Sequence, residues 1–370
     1  MMQVLTGARI FDGARFLDGH ALVIENGVIA AILPEAEAPA QGRRAVAGIL
    51  APGFLDLQVN GGGGVMVDGA TDLAALKHIC AAHRGLGTAG ILPTLITDTA
   101  QATAQVIAAG IAATAQVPGF LGLHLEGPHL DPRRKGAHDP GLIRPMDQDD
   151  LARLCEAARR LPALMVTLAP EAATPQQIAA LAGAGAVVSL GHSDCTYDEA
   201  QAALAAGARC VTHLFNAMSQ IGHRAPGLAG AVLSGDAGAG LIADGIHVHP
   251  AVMRLALAAR PAGIFLVSDC MAFAGTALTE MELGGRQVLR RDGRLTLADG
   301  TLAGADLTLP QAVAKLVHAV GIAPERALAM ATSVPAALIG LQDSHGALAP
   351  GRRAEIVLLD RDFALRESWL

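Results

Sequence analysis

The middle of the chain alternates between two hydrophobic patterns. Short apolar runs that end in polar or glycine residues indicate strands, and alanine-rich stretches of helical periodicity lie between them. The eight predicted strands span residues 53–60, 90–97, 120–126, 163–170, 187–192, 210–213, 238–244 and 264–269. The predicted helices include residues 72–83, 99–115, 149–160, 197–206 and 250–259. Strands separated by helices predict parallel βαβ units, and eight units predict an α/β fold whose sheet closes into a (β/α)8 TIM barrel.

The two ends of the chain carry strand patterns without helices. In the first fifty residues, short alternating runs are separated by the turn dipeptides Asp12-Gly13, Asp18-Gly19 and Asn26-Gly27, the last of which predicts a tight hairpin. This small β unit buries little by itself, and an apolar run at 354–359 offers it a partner. We therefore predict a small β-sandwich domain formed from residues 1–50 and 341–370, with the barrel formed from residues 51–340.

Residues 283–302 interrupt the barrel pattern. Two turn sequences in this stretch, around Asp292-Gly293 and at Asp299-Gly300, predict a short hairpin excursion, and helices are predicted again at 307–320 and 324–332. The main competing fold is an open doubly wound sheet, which would favour a Gly-x-Gly-x-x-Gly turn after the first strand. Residues 61–64 are all glycine, but no clear helix follows them, so the nucleotide signal is weak.

Composition and charge narrow the range of partners. Of 370 residues, 52% are hydrophobic and 16% are charged, which suits a large core and excludes disorder. The net charge of −7 and the lack of a Lys/Arg-rich run argue against a nucleic-acid partner. A small anionic ligand remains compatible, because it needs only one or two local cations.

Cysteine usage and the chain's apolar runs bear on its compartment. The five cysteines are scattered and form no Cys-x-x-Cys pair, which fits a reducing compartment better than a disulfide framework. No signal-peptide pattern is found in residues 1–10, and no apolar run reaches the ~18 residues of a membrane span. We therefore expect a cytoplasmic protein that does not bind membranes.

Residues able to bind a metal or move a proton stand at the ends of four predicted strands. These residues are Glu126, His192, His213 and Asp269. In a parallel barrel the strand ends converge at one mouth, where one glutamate and two histidines would hold a divalent cation and leave a position open for water. The aspartate could then accept and return a proton. Each histidine taken alone would more often be a structural core or loop residue, and His124, which shares a strand face with Glu126, could support it from behind.

A second group of polar residues follows the strand ends and suggests the ligand. Lys135-Gly136-Ala137-His138 follows the Glu126 loop, Asn216 and Arg224 come after His213, and Asp244-Gly245-Ile246-His247 ends the seventh strand. Arg224 and His247 beside a metal would suit a phosphate, because arginine offers two parallel donors to such an anion. Arg224 on its own would more often be a solvated loop residue.

Several motifs together resemble the N-acetylglucosamine-6-phosphate deacetylase family of the amidohydrolase superfamily. The matching segments are Leu123-His124-Leu125-Glu126-Gly127-Pro128, Gly191-His192-Ser193, Thr212-His213-Leu214-Phe215-Asn216-Ala217-Met218, Pro226-Gly227-Leu228-Ala229-Gly230, Ala243-Asp244-Gly245-Ile246-His247 and Leu302-Ala303-Gly304. The resemblance covers nearly the whole chain, including the β unit at both ends. The motifs are specific in combination, although Gly-His-Ser alone would mean little.

The resemblance implies a function and a role for each matching residue. It implies hydrolysis of N-acetyl-D-glucosamine 6-phosphate to D-glucosamine 6-phosphate and acetate, commonly by a homodimer. It also implies metal ligation by Glu126, His192 and His213, and acid/base catalysis by Asp269. The substrate contacts it implies are Ala137, His138, Asn216, Ala217, Arg224, Asp244, His247, Leu302, Ala303 and Gly304. Within that set, His138 would contact the reacting carbonyl, and Arg224 and His247 the phosphate.

The sequence departs from related patterns at two places. Many amidohydrolases carry His-x-His at the end of the first strand, where this chain has Gln58-Val59-Asn60. Neutral amides are poor zinc ligands, so we expect one divalent metal per subunit, with Zn2+ favoured and Fe2+, Mn2+ or Co2+ left open. Cys270-Met271 follows the aspartate where the family more usually has small residues, and no motif places a base that would make Cys270 a nucleophile.

Three alternatives stay open at the level of sequence. The closest is the same chemistry on N-acetylgalactosamine 6-phosphate, since the sequence does not settle the C4 epimer. Another amidohydrolase reaction, such as ring opening of a dihydropyrimidine, usually accompanies the His-x-His that this chain lacks. A non-catalytic scaffold would be expected to have lost ligands, whereas Glu126, His192, His213 and Asp269 are all present.

Overall fold

A computed structural model describes residues 2–370. The described chain begins with β1 (Met2–Thr6), β2 (Arg9–Phe11), β3 (Phe16–Leu17), β4 (His20–Glu25), β5 (Val28–Pro34), β6 (Arg43–Ala45) and β7 (Ile49–Pro52). It continues with β8 (Phe54–Val59), β9 (Gly61–Gly62), β10 (Val65–Met66), α1 (Leu73–Gly85), β11 (Thr88–Ile96), α2 (Ala100–Ala113), β12 (Leu123–Glu126), α3 (Gln148–Arg160), β13 (Leu164–Leu168), α4 (Pro175–Gly183), β14 (Val187–Leu190), α5 (Tyr197–Ala205), β15 (Cys210–Val211), α6 (Gly227–Leu233), β16 (Gly238–Leu241), α7 (Pro250–Ala259) and β17 (Ile264–Leu266). It ends with β18 (Glu280–Leu283), β19 (Arg286–Arg291), β20 (Arg294–Leu297), β21 (Leu302–Ala305), α8 (Leu309–Lys315), a π-helical turn (Leu316–Val320), α9 (Pro324–Ala329), α10 (Ser333–Leu338), β22 (Ile356–Leu359) and β23 (Leu365–Trp369).

Eight parallel strands form the barrel predicted from the sequence. Their order in the sheet is β17, β16, β15, β14, β13, β12, β11 and β8. The segment after β17 returns to β8 and closes the sheet, because the Asp269 N–H donates to the Gln58 carbonyl at 3.1 Å and the Asn60 N–H donates to the Cys270 carbonyl at 2.9 Å. The (β/α)8 prediction is therefore confirmed, and all eight strands fall inside or next to the ranges that the sequence indicated.

Three helices, α4, α6 and α10, lie outside the helical ranges that the sequence analysis named. The helix α4 begins after a capping box in which Thr174 and Gln177 satisfy each other's backbone N–H groups. That Thr-Pro-Gln-Gln signal was present in the chain, and it is the cue that would have placed the helix. The helix α6 has only seven residues and is buried along nearly its whole length, so it lacks the amphipathic pattern that reveals a surface helix.

The two ends of the chain form a composite β-sandwich, as predicted. One sheet has the order β5, β4, β1, β6, and the other has the order β23, β22, β7, β2, β3. The C-terminal β22 pairs antiparallel with β7, with Leu358 opposite Leu50. Leu5, Leu22 and Ile356 are fully buried with Leu50 between the sheets. The predicted boundaries, 1–50 with 341–370 against 51–340, stay a prediction.

A four-stranded antiparallel sheet, in the order β18, β19, β20, β21, packs over the barrel mouth. The sequence predicted the turn at Asp292-Gly293 but not β18 or the Gly284-Gly285 turn that joins it to β19. Leu283 at the tip of this hairpin packs against the same buried apolar cluster as Met66 and Ala137 from the barrel loops. Within residues 2–370, no helix combines the length and apolar character that crossing a membrane requires.

Candidate metal centre and substrate cavity

The four predicted reactive side chains converge at the mouth of the barrel. Glu126 is the last residue of β12, while His192 and His213 each lie two positions beyond β14 and β15. Asp269 lies three positions beyond β17. All four side chains are buried. The convergence follows from the parallel sheet, whose carboxyl-terminal ends meet at one edge.

The backbone at three of these residues has an unusual conformation. His192, His213 and Asp269 have φ values of 47°, 29° and 49°, and Phe215 and Ala217 nearby have 74° and 47°. In the described chain nine non-glycine residues have positive φ, so more than half of them lie at this mouth. Such conformations cost roughly 1–3 kcal/mol each and persist where the surrounding structure holds them. Here they turn the chain sharply after the strand.

Glu126, His192 and His213 form a compact group of ligand atoms. Glu126 Oε1 lies 3.1 Å from Nε2 of His192 and 3.1 Å from Nε2 of His213, and the two Nε2 atoms are 3.1 Å apart. Ligands bound at about 2.0–2.1 Å to a tetrahedral zinc ion stand about 3.3–3.4 Å from one another. The separation of these three atoms therefore fits a single divalent cation, with a remaining coordination position for water.

Hydrogen bonds from neighbouring groups orient these side chains so that their ligand atoms point to one place. His192 Nδ1 lies 2.8 Å from the Arg134 carbonyl, which can only accept, so Nδ1 carries a proton and Nε2 is the ring nitrogen that faces the centre. Gln58 donates its amide to both oxygens of Glu126, at 3.2 and 3.3 Å. Gln58 thus donates to Glu126, one of the three candidate metal ligands.

The ionisation of the group also favours a positive charge at its centre. Burial alone would raise the pKa of Glu126, but hydrogen bonds from His192 and His213 hold it well below the usual range. Burial alone would lower the pKa of His213, but its hydrogen bond to Glu126 raises it. A buried carboxylate with two imidazoles aimed at the same point is a donor set for a cation, because an unpaired buried charge would be costly.

Asp269 is placed to exchange protons beside these ligands. Burial and the nearby Glu126 raise the pKa of Asp269 to about 6. The Asn60 amide donates to Asp269 Oδ1 at 2.8 Å, which fixes one carboxylate oxygen. A carboxylate whose pKa lies near neutrality can accept a proton in one step and return it in the next. No sequence motif indicated this role for Asn60.

His138 presents a hydrogen-bond donor to the cavity. Its Nδ1 lies 3.3 Å from the backbone N–H of Thr97, which can only donate, and 2.7 Å from the Thr97 hydroxyl. Because Nδ1 accepts, the proton of the neutral ring sits on Nε2. Burial lowers the pKa of His138 to about 3, so the ring is neutral at pH 7. Sequence reasoning did not find Thr97, whose partner lies 41 residues away.

His124 belongs to a layer of polar side chains inside the barrel, beneath the ligands. Its Nε2 lies 2.7 Å from the Thr167 hydroxyl, which lies 2.5 Å from the Thr212 hydroxyl, and that hydroxyl lies 2.7 Å from Ser189 Oγ. Burial lowers the pKa of His124 to about 4, so it is neutral. His124 therefore shares a strand face with Glu126, as expected, and bonds to this hydroxyl chain.

The predicted substrate contacts fall into three groups. Most of them line one cavity of about 260 Å³ together with the ligands and Asp269. These are Ala137, His138, Asn216, Ala217, His247, Leu302, Ala303 and Gly304. Asp244 lies behind the cavity and holds His247, with its Oδ2 2.6 Å from His247 Nδ1. Arg224 lies on an exposed loop and does not line the cavity within this chain.

Comparisons with family models, curated proteins and solved structures all find amidohydrolases, including amino-sugar-phosphate deacetylases. A family model described as "Amidohydrolase family" matches residues 49–368, and one described as "NagA composite domain" matches residues 2–48. N-acetylgalactosamine-6-phosphate deacetylase of Shewanella sp. (strain ANA-3) is 35% identical, with 100% of this chain and 95% of that protein covered. N-acetylglucosamine-6-phosphate deacetylase of Homo sapiens is 35% identical, covering 97% of this chain and 88% of that one. The crystal structure of N-acetylglucosamine-6-phosphate deacetylase from Pasteurella multocida superimposes with a TM-score of 0.95 at 34% identity, covering 100% of this chain and 98% of that one.

Proposed function

This chain belongs to the amidohydrolase family, and from that premise we propose that it deacetylates N-acetyl-D-glucosamine 6-phosphate, giving D-glucosamine 6-phosphate and acetate. The observation that carries the proposal is the closeness of Glu126, His192, His213 and Asp269 to one another in a cavity that His138 also lines. Full-length relatives named for this reaction support it.

We propose that Glu126, His192 and His213 hold one divalent ion per subunit. Two imidazoles and a carboxylate suit Zn2+, and Fe2+, Mn2+ or Co2+ are the alternatives that metal counting must separate. When bound, the ion supplies Lewis acidity, which lowers the pKa of water and polarises a carbonyl. In residues 2–370, these three residues are the one group of three or more His, Cys, Asp or Glu side chains that are close enough to share an ion.

The chain's own residues then account for the proton transfers. Asp269 accepts the proton of the attacking water and later gives it to the departing amine nitrogen, so one carboxyl group serves as base and then as acid. His138 donates its Nε2 proton in a hydrogen bond to the acyl oxygen, where negative charge develops as the water attacks. Asn60 keeps Asp269 aimed at the reacting atoms through its 2.8 Å hydrogen bond.

We propose that the phosphate is bound at the His247 side of the cavity. His247 lines the cavity and is oriented by Asp244, and it can offer its Nε2 to an oxyanion when protonated. Arg224 does not line this chain's cavity, but its side chain is exposed and has no ion pair among residues 2–370, so its guanidinium is available to a phosphate bound in a neighbouring subunit. Arg224→Ala should weaken kcat/KM for the phosphorylated sugar more than for the unphosphorylated sugar, and equal losses would exclude the phosphate role.

We propose that the protein acts as a homodimer. Among residues 2–370, four large hydrophobic residues are exposed. Two of them, Ile221 and Leu255, line the same shallow groove, with exposed fractions of 55% and 71%. Arg224 is in the same loop as Ile221, so a second copy that covers the groove would also meet this arginine. Leu255→Glu should shift the mass measured by light scattering from dimer to monomer, and an unchanged mass would place the interface elsewhere.

The compartment also remains part of the proposal. All five cysteines are buried and none forms a disulfide, which agrees with a reducing compartment such as the cytoplasm.

The decisive experiment measures acetate release from N-acetylglucosamine 6-phosphate and from N-acetylgalactosamine 6-phosphate on protein of known metal content. The galacto epimer is a serious second candidate because a full-length relative is named for it. Faster release from the gluco substrate, lost together with one metal per chain on chelation, would support the proposal. Faster release from the epimer would keep the chemistry and change the substrate. Metal-loaded protein that releases acetate from neither compound would reject the proposed function.

A further inference from the structure

A second cavity lies directly beside the reactive cavity, which is the one lined by the candidate metal ligands and Asp269. It has a volume of about 480 Å³, and Met66, Ile96 and Leu283 line both cavities. These three side chains, which we call the shared wall, come from β10, from the end of β11 and from the tip of the β18–β19 hairpin. The shared wall is apolar, and it separates the metal ligands from empty space.

The shared wall stands at the end of the cavity where the acyl group must lie. Ile96 pairs with the metal ligand Glu126 across β11 and β12, and the next residue, Thr97, holds His138. Met66 is close in the chain to the residue that orients Asp269. The N–H of the next residue, Val67, donates to the carbonyl of Asn60 at 2.8 Å, and the Asn60 side chain donates to Asp269. The shared wall therefore adjoins the groups proposed to surround the reacting carbonyl.

The proposed phosphate site at His247 and the shared wall lie on different sides of the cavity. His247 follows β16, and in the closed ring of eight strands β17 and β8 lie between β16 and β11. In the proposed substrate, the part that extends from the carbonyl away from the sugar and the phosphate is the acyl methyl group. An apolar wall is the surface that such a methyl group would contact, since burying it there removes apolar area from water.

We propose that the shared wall of Met66, Ile96 and Leu283 sets the length of the acyl group, and that the cavity behind it would hold a longer acyl chain once the wall is opened. This inference rests on the proposed deacetylase function. It assigns a specificity role to three residues that neither bind the metal nor move a proton.

The lining of the second cavity predicts which acyl chains it would accept. Asp68, Asp98, Asp139 and Glu282 line it. Each of the three aspartates accepts a hydrogen bond from a nearby backbone N–H group, and these bonds fix the carboxylates in place. The donors are Ala70, Thr99 and Gly141, at 2.8, 2.6 and 2.8 Å. Arg286 is the one basic side chain in the lining, and its Nη2 donates to the Ala137 carbonyl at 2.5 Å. An acyl chain that ends in a carboxylate would therefore meet net negative charge, whereas an alkyl chain would not.

The test compares kcat/KM for the N-acetyl, N-propionyl, N-butyryl and N-succinyl derivatives of glucosamine 6-phosphate. We expect Leu283→Ala, Met66→Ala and Ile96→Ala each to raise the butyryl-to-acetyl ratio by about tenfold or more, since fitting one methylene changes specificity by about 10–200-fold. The succinyl derivative should stay a poor substrate in all three variants. Ile242→Ala is the matched control, because Ile242 lines the reactive cavity but not the second one.

An unchanged butyryl-to-acetyl ratio in all three wall variants would overturn the inference, and so would an equal rise in Ile242→Ala. Melting temperature and metal content would identify any variant that fails to fold. Binding of the N-butyryl compound, measured by titration calorimetry, gives a readout that does not need turnover. Failure of the proposed function is distinguishable, because the wild-type protein would then hydrolyse neither N-acetyl epimer.

Discussion

The barrel interior below the proposed metal ligands and the interior of the terminal sandwich are built from different kinds of side chain, polar in the first and aliphatic in the second. Beneath Glu126, the buried layer is a hydrogen-bonded chain of His124, Thr167, Thr212 and Ser189. Between the sandwich sheets, the buried side chains are aliphatic. A buried polar group lowers stability unless it forms its hydrogen bonds. Aliphatic side chains have no hydrogen bonds to form, so their packing stabilises the fold directly. Substitutions at the mouth should therefore change turnover, and substitutions in the sandwich should change the free energy of unfolding.

The largest effect on turnover is expected for Asp269→Asn. The amide cannot accept a proton, so kcat should fall by about 10²–10⁴-fold, the usual contribution of general acid–base catalysis. Metal content and melting temperature should be retained, which separates this variant from a folding defect. Because the pKa of Asp269 is raised to about 6, wild-type activity should decline as pH falls through this value and the carboxylate is protonated. Near-normal turnover of the variant would remove Asp269 from the mechanism.

For Leu50→Ala in the sandwich, we expect stability to fall and turnover to be retained. Leu50 is fully buried in β7, opposite Ile10 on one neighbouring strand and Leu358 on the other. Removing such a side chain costs about 2–5 kcal/mol of unfolding free energy. We expect kcat/KM at 25 °C to stay close to the wild-type value in the folded fraction. Denaturant unfolding and steady-state kinetics measure the two quantities, and a loss of kcat with unchanged stability would contradict the contrast between the regions.

A smaller effect is expected for Gln58→Ala, which leaves the three metal ligands in place. Removing the amide that donates to both oxygens of Glu126 should weaken metal retention by about 10–100-fold, as for other groups that orient metal ligands. Competition with a chelator of known affinity measures this directly. Gln105→Ala on α2 is a control that removes the same side chain away from the site, and it should leave metal affinity unchanged.

Asp56 should affect the pH dependence of stability. Burial raises the pKa of Asp56 to about 7, although hydrogen bonds from Ser268 oppose the shift. The folded state therefore keeps a proton that the unfolded state loses, so this residue's contribution to stability should decline as pH rises from about 4 to 7. Asp56→Asn should flatten the stability curve over that range, whereas Asp292→Asn at an exposed turn should not. An unaltered slope in Asp56→Asn would show that another group causes the decline.

The sequence predicted the parts of this molecule that repeat or that carry ligand chemistry. The alternation of strands and helices was sufficient for the barrel, and strand-end positions were sufficient to predict that Glu126, His192 and His213 lie close together. The partners that tune these residues could not be predicted, because each depends on a contact between distant segments. The hydrogen bond from Asn60 to Asp269 spans 209 residues, and the one between His192 and the Arg134 carbonyl spans 58. The left-handed backbone at Phe215, where φ is 74°, has no local signal either, since a bulky aromatic residue does not favour that conformation.

The pairing of β7 with β22 has a consequence for synthesis of the chain. Leu50 emerges from the ribosome some three hundred residues before its partner Leu358, so β7 spends that interval with one edge unpaired. An open edge of aliphatic strand is a template for another chain. A truncated product that stops before residue 356 would keep this edge permanently, and we expect it to aggregate or be degraded even though its complete barrel and catalytic residues have been made.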